Sequence, residues 1–577
     1  MKKNLLPALI VTGLIILVVI IMGITALINK YTPTKKTEDL KEYFNISSDD
    51  EAALIVDNEL SDYKAKIIDK KIYVDYKFVH DSLNSRFYWD ANENVLLYTT
   101  ASDIISAAAD SNSYSVTKQT NDFGYPIVKA TSDSALIALD YVKQYSNITF
   151  KSYDDPARVV ITSKWDEIDS ATVNKSTQVR MKGGIKSPIL KEVKKDDKIT
   201  ILDSGDKWDK VATEDGVIGY IKRKALSESK KTKLTNPDYE EETFTHIKKD
   251  KDICLAWNQV TSQSANSKVP QVISSTKGIN VMSPTWFYLN DNNGNLADIA
   301  SKDYVSYCHS QGIEVWGLFS NFENTDVDAA YVLTHTSTRT TLINQIMSAA
   351  FNYELDGVDI DFENITEAAY GDSYIEFIRE LAIKCHNNGI SLSVDVTVPA
   401  SFNKFFNRSD MANFADYIVI MGYDEHYKGS DAGSVSSIPW VTEGVESTLK
   451  EVPADQIILG MPFYTRIWEL TPKEDDDAVT DTEDQSKYTV ASQVYSMDAA
   501  AAQLATNNTT AALDEESGQN YAEWSVSNKL YKVWLEDSTS LEKRLKLVDD
   551  NKLAGAAFWK LGFENSSVWD TVIKYLD

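Results

Sequence analysis

Hydrophobic and polar positions change period along this chain, and the changes mark its parts. From Leu5 to Ile28 the residues are apolar or small, with no charge inside the run. A membrane-crossing helix needs about 20 such residues, whereas the core of a cleavable signal peptide spans ~7–15. With no convincing small-residue cleavage site after it, the run reads as an uncleaved signal anchor. A polar stretch to about Asp39 follows. From there to about Trp165 a strand–helix–strand–turn–strand pattern occurs twice, once from Ile68 to Tyr98 and again from Ser134 to Ile161. From about Ala171 to Ser227 short strands alternate with Gly and Asp turns. Ser229 to Glu242 is a charged run, expected to be a solvated linker.

Beyond about residue 245, apolar strand-length runs alternate with helix-length segments. The expected strands are Ile253–Trp257, Ile279–Ser283, Glu314–Phe319, Gly357–Phe362, Ser391–Val396, Tyr417–Met421, Ile457–Met461 and Gly555–Leu561. Strands and helices alternating over this span indicate a TIM (β/α)8 barrel, with chemistry at the C-terminal strand ends. An α+β insertion is expected between the last two strands, about Thr471 to Glu536. Boundaries then fall at 1–34 (anchor), 35–168 (duplicated α+β part), 169–228 (small all-β barrel), 229–244 (linker) and 245–577 (catalytic barrel).

Composition changes this picture little. Among 577 residues the hydrophobic share is 43% and the charged share 25%, ordinary for globular material. The formal net charge of −28 argues against a nucleic-acid partner, which needs a basic surface. Cys254, Cys308 and Cys385 lie far apart among apolar residues and read as buried thiols. No Cys/His cluster suggests a metal, and no cofactor is expected. Trp208 and Tyr220 are read as core of the small all-β part, and the acidic run Glu474-Asp475-Asp476-Asp477 as a solvated loop.

One segment carries chemistry: Leu355-Asp356-Gly357-Val358-Asp359-Ile360-Asp361-Phe362-Glu363. Side chains alternate across a strand, so Val358, Ile360 and Phe362 face the covering helices while Asp359, Asp361 and Glu363 face the barrel lumen. Three inward acids make a poor core, because buried charge is costly. Crowded carboxyls cannot all ionise, however, so one of them keeps a proton it can donate. Glu363, at the strand's C-terminal end, is the expected donor; Asp361 shares its proton and Asp359 tunes the pair from below.

This segment resembles the DGxDxDxE signature of glycoside hydrolase family 18, complete at Asp356, Gly357, Asp359, Asp361 and Glu363. Met421-Gly422-Tyr423-Asp424 is similar to that family's MxYD element, and Gly460-Met461-Pro462-Phe463-Tyr464-Thr465-Arg466 to its GxPxYxR segment. Trp559 matches the aromatic floor under the scissile sugar. The resemblance implies retaining, substrate-assisted hydrolysis of beta-linked N-acetylglucosamine. Glu363 would protonate the leaving oxygen; Asp361 and Tyr423 would orient the 2-acetamido group, with Asp424 in support. Met421, Tyr464, Arg466 and Trp559 would contact the sugar. Gly317-Leu318-Phe319-Ser320-Asn321 stands where many members carry Ser-x-Gly-Gly, which bears on the subsites rather than on the acid.

The other parts carry fainter resemblances. The duplicated part is similar to a copper amine oxidase N-terminal-like domain and the small all-β part to a bacterial Src-homology-3-like domain. With these, the arrangement resembles spore-cortex and germination hydrolases, including the Trp534-Leu535-Glu536-Asp537 segment. The expectation is a membrane-bound, cell-surface enzyme, anchored through residues 5–28, with its catalytic part outside and the bacterial cell wall as partner. Its polysaccharide substrate is peptidoglycan, with chitin as the alternative; a non-catalytic glycan-binding protein is the competing reading.

Overall fold

The computed structural model describes residues 5–363, 365, 370–473 and 484–576. The acidic run at 474–477 lies outside the described residues. The first helix, Leu5–Tyr31, carries no charge before Lys30 and is long and apolar enough to cross a membrane.

The chain divides into two compact units. The first takes in Met1–Trp89, Ala107–Tyr114 and Thr120–Glu241. It holds a seven-stranded mixed sheet in which Glu51–Val56 pairs in parallel with Arg158–Thr162 and antiparallel with Glu59–Ile68. A second sheet of seven strands is antiparallel throughout. Phe44, Ala53 and Ile55 from the first part share one dry core with Val179, Leu190, Val211, Val217 and Ile221 from the second. The expected boundary at 168/169 therefore runs through a common core rather than between independent domains. Pieces this small bury too little apolar surface alone, and pooling it stabilises both. Gly216 shows how close the approach is. It has φ +83°, and a Cβ there would lie 2.8 Å from Val160 Cγ2 and 3.1 Å from Ile55 Cγ1.

Two expectations for this unit need correction. Lys230–Lys233, placed in the linker, is a strand paired antiparallel with Glu167–Thr172. Ser170 bonds Thr232 (2.7 Å) and Lys231 pairs with Asp169 (3.0 Å), so cross-strand partners offset the polarity that suggested a linker. Trp208 and Tyr220 are half-buried around Gly183 instead of in the core. Lys222 lies 5.6 Å from the Trp208 ring, covering what the core does not.

The second unit is Asp90–Ser106, Ser115–Gln119 and Glu242–Asp577. Its barrel strands are β1 (Ile253–Asn258), β2 (Val281–Leu289), β3 (Glu314–Ser320), β4 (Gly357–Asp361), β5 (Ser391–Thr397), β6 (Tyr417–Met421), β7 (Ile457–Pro462) and β8 (Gly555–Trp559). All pair in parallel, and β1 bonds both β2 and β8, which closes the barrel. Outward residues Val358, Ile360 and Phe362 join the helix-facing core, where Phe362 stacks on Phe377 at 5.5 Å. Inward residues at the N-terminal strand ends form a dry plug: Ile253, Leu255, Val281, Trp316, Tyr417 and Ile458. Gly357 must lack a side chain, since a Cβ would lie 2.5 Å from the Trp316 ring.

The insertion begins earlier than expected. Tyr464–Pro472 is already one of its strands, paired with Tyr488–Ser496 and Lys529–Leu535, so the chain leaves the barrel directly after β7. Its far end is pinned by Glu536, which is buried, ion-paired with Arg544, and accepts from Ser540 Oγ (2.7 Å) and Gln519 Nε2 (2.8 Å). All three cysteines are buried and free, and burial raises the thiols of Cys254 and Cys308 to about 12.

Candidate active site

At the C-terminal strand ends the lumen opens into a cavity of about 590 Å³. Asp361 and Glu363 from the end of β4 line it, together with Asp395 from β5, Met421, Tyr423 and Asp424 from the end of β6, and Trp559 from β8. Residues from four separate stretches of sequence meet here because parallel strands all end on the same face.

Asp359 lies one layer deeper. It is fully buried and accepts hydrogen bonds from Trp257 Nε1 (3.0 Å), Ser283 Oγ (2.7 Å) and Ser393 Oγ (2.5 Å). Burial raises its carboxyl above the usual range, and the three donors pull it back. Asp395 stands beside it on the neighbouring strand β5, two residues beyond Ser393, the register partner of Asp359, and is held well above the usual range, by burial first and then by the charges of Asp359 and Asp361. The hydrogen bond between these two acids raises Asp395 and lowers Asp359, so Asp395 carries the proton and donates it to Asp359.

Asp361 and Glu363 form a second pair of the same kind. Asp361 is pushed well up by burial, then by Glu363, Asp359 and Glu323. Glu363 is raised by burial, then by Asp424 and Glu323, while its hydrogen bond with Asp361 lowers it. Asp361 is thus the firmer proton holder and donates to Glu363. The other oxygen, Asp361 Oδ1, is buried and makes no hydrogen bond among the described residues.

Tyr423 is half-buried, edge-on to Trp257 (6.5 Å between ring centres), and its hydroxyl is raised by burial and by Asp395 and Asp361. Asp424 adopts φ +61°, exposing its side chain at the rim. Its Oδ1 accepts from the Tyr464 hydroxyl, and Arg466 Nη2 lies 3.8 Å away. Tyr464 and Arg466 therefore stand behind Asp424, on the insertion's first strand, and do not form the cavity wall. Trp559 does, packed edge-on to Trp257 at 5.9 Å.

Sequence reading missed several wall residues. Asp395 had a signal: in β5 the polar Ser391, Ser393 and Asp395 alternate with Leu392, Val394 and Val396, which marks a polar inward face. Trp257 had a weaker one, as the last large residue of an inward row with Ile253 and Leu255. Glu323 stands on a loop, Phe402 in the short 3-10 helix Ser401–Phe406 and Trp440 in the helix Ile438–Thr448, all outside the strand alternation.

Residues 323–564 match the family described as glycosyl hydrolases family 18. The "Uncharacterized glycosylase YvbX" of Bacillus subtilis (strain 168) is 24% identical over 302 residues, covering 49% of this chain and 81% of that protein. The "Cortical fragment-lytic enzyme" of the same organism is 24% identical over 287 residues, 48% of this chain and 63% of that one. The chain thus spans less than two thirds of that second relative. Among solved structures, the Bacillus cereus spore cortex-lytic enzyme SleL superposes with a TM-score of 0.50 at 19% identity, over 57% of this chain and 76% of the other, a likeness of fold.

Proposed function

The barrel is a glycosyl hydrolase family 18 domain and the chain a glycosidase, and from that premise we propose that it cleaves beta-1,4-linked N-acetylglucosamine in bacterial peptidoglycan by a retaining, substrate-assisted route. Asp361 carries this reading. One of its oxygens is engaged with Glu363, and the other is buried without a partner among the described residues. An unsatisfied buried acceptor costs about 1–3 kcal/mol, which the N–H of a 2-acetamido group would relieve. With that group held between Asp361 and Tyr423, its carbonyl oxygen attacks the anomeric carbon as Glu363 gives its proton to the leaving oxygen. Asp361 goes on accepting from the N–H of the oxazolinium and donates to Glu363 as negative charge develops there. Water, deprotonated by Glu363, opens the ring with net retention. Trp559 gives the sugar an apolar floor.

The apolar helix Leu5–Tyr31 would hold the enzyme in the cell membrane with the catalytic unit outside. The name of the cortical fragment-lytic relative supports a wall glycan as substrate. One observation favours chitin as a second reading. The cavity wall carries Glu323, Asp361, Glu363, Asp395, Asp424 and Glu425 but no Lys, Arg or His among the described residues, so a muramyl carboxylate would find no cation there. Incubating the full chain in detergent micelles with peptidoglycan and with chitin oligomers, and identifying products by mass spectrometry, decides between them. New reducing-end N-acetylglucosamine from peptidoglycan alone supports the first reading, release from chitin alone supports the second, and no product from either removes both.

A further inference from the structure

Glu323, like Asp395 and Glu425, is a cavity acid with no counterpart in the motifs that mark the site. It follows β3, in the segment Ser320-Asn321-Phe322-Glu323, and its carboxylate is held by Ser320 Oγ, which lies 2.6 Å from Oε1 and 2.7 Å from Oε2. Ser320 is itself buried and in register with Asp361 on β4. The strand end that positions Glu323 is therefore the immediate neighbour of the strand end that positions Asp361 and Glu363. Glu323 lines the same cavity as that pair yet is exposed to solvent, so placing a charge there avoids the cost of burial.

We propose that Glu323 is a positioning residue of this reaction: a fixed negative charge on the cavity wall that keeps the proton on Glu363 until the leaving oxygen takes it. The inference rests on the acid role given to Glu363 above. Glu323 exchanges no proton; it acts through space, and its charge raises both Asp361 and Glu363. The groups facing Glu363 are Asp361 on its own strand, Glu323 after β3, Asp395 on β5, and Tyr423 and Asp424 after β6. None of these is basic, and the cavity wall holds no cation among the described residues to cancel the effect. Asp361 hydrogen-bonds to Glu363 and lowers it; without an opposing charge, that bond would favour the ionised form of Glu363, which cannot act as the acid. Glu323, with Asp424, supplies the opposition from the solvent side, where it costs little to keep.

The test uses the full chain in detergent micelles with carboxyl-13C glutamate, the Glu363 signal being identified by its loss in Glu363→Gln. In Glu323→Gln the Glu363 midpoint should fall by about one pH unit, the size expected for a unit charge several ångströms away with protein-like screening. The alkaline limb of kcat/KM should move down with it. Glu323→Asp, which keeps the charge, should stay near wild type, and Ser320→Ala, which frees the carboxylate, should shift the midpoint less than Glu323→Gln and in the same direction. An unmoved midpoint in Glu323→Gln overturns the proposal, as does an equal shift in Glu323→Gln and Glu323→Asp, which would mean packing and not charge. The titration needs no turnover, so it decides the matter even if no glycan is cleaved and the proposed reaction falls.

Discussion

At one end of the barrel lumen Trp316 and Tyr417 stack at 5.6 Å in an apolar plug with Leu255 and Ile458, their polar atoms bonded to Glu314 and to the Lys249 amide at its edge. At the other end β4, with Glu363 just beyond it, and β5 present Asp359, Asp361, Glu363 and Asp395. On β3 and β4 the two chemistries are only a few residues apart: Trp316 is in register with Gly357, and Ser320 with Asp361. The dry end follows the usual rule that apolar burial stabilises, while the wet end departs from it in a regulated way. Its buried acids are tolerable because they pair, Asp395 with Asp359 and Asp361 with Glu363, and the protons held there remove at least one charge from each pair. The plug supplies rigidity, and the crowded acids use it to hold a proton in place.

If that division is right, substitutions at the two ends should separate function from stability. The largest effect belongs to Glu363→Gln, for which turnover of the cleaved glycan should fall about 10²–10⁴-fold with the thermal unfolding midpoint unchanged or raised. Initial rates and a melting curve measure both, and near-normal turnover would break the comparison outright. Trp316→Ala should do the reverse, removing about 3–5 kcal/mol of stability in denaturant titration while leaving the alkaline limb of kcat/KM in place. A moved limb would mean that the plug is part of the proton-holding machinery.

Smaller effects sharpen the boundary. Asp395 binds its proton more tightly folded than unfolded, so the unfolded chain releases it first and stability declines as pH rises above the ordinary carboxylate range towards the folded-state value. Asp395→Asn should flatten that decline, read as the melting midpoint across pH; an unchanged slope would place the proton elsewhere. Ser393→Ala removes one of three donors to Asp359 and should cost only about 1 kcal/mol, since Trp257 and Ser283 remain. A much larger loss would show that the three donors act as one unit.

Much of this arrangement was legible beforehand. Each of the eight barrel strands lies where an apolar run of the right length marked it, although β2 starts two residues later and runs six residues further than expected. The alternation in Gly357–Glu363 told inward from outward, because a strand's side-chain period is two and tolerates no slip. The same alternation in β5 pointed to Asp395 and went unread, since two serines and one acid attract less notice than three acids. Ser320 and Glu323 had no such pattern, for a loop beyond a strand end obeys no period.

Local chemistry written in the chain thus determined which segments become strands, which faces turn inward, where the apolar helix lies and that Asp359, Asp361 and Glu363 share one lumen. What only the folded molecule decided is who neighbours whom across sequence distance. That includes Asp361 rather than Glu363 as the firmer proton holder, Asp395 beside Asp359 on the next strand, Tyr464 and Arg466 behind Asp424, and one core beneath two parts that read as separate. The reason is physical. Strand and helix periods depend on residues within a turn or two of each other, whereas desolvation and the Coulomb field of a neighbour act through space, and that space exists only once the barrel has closed.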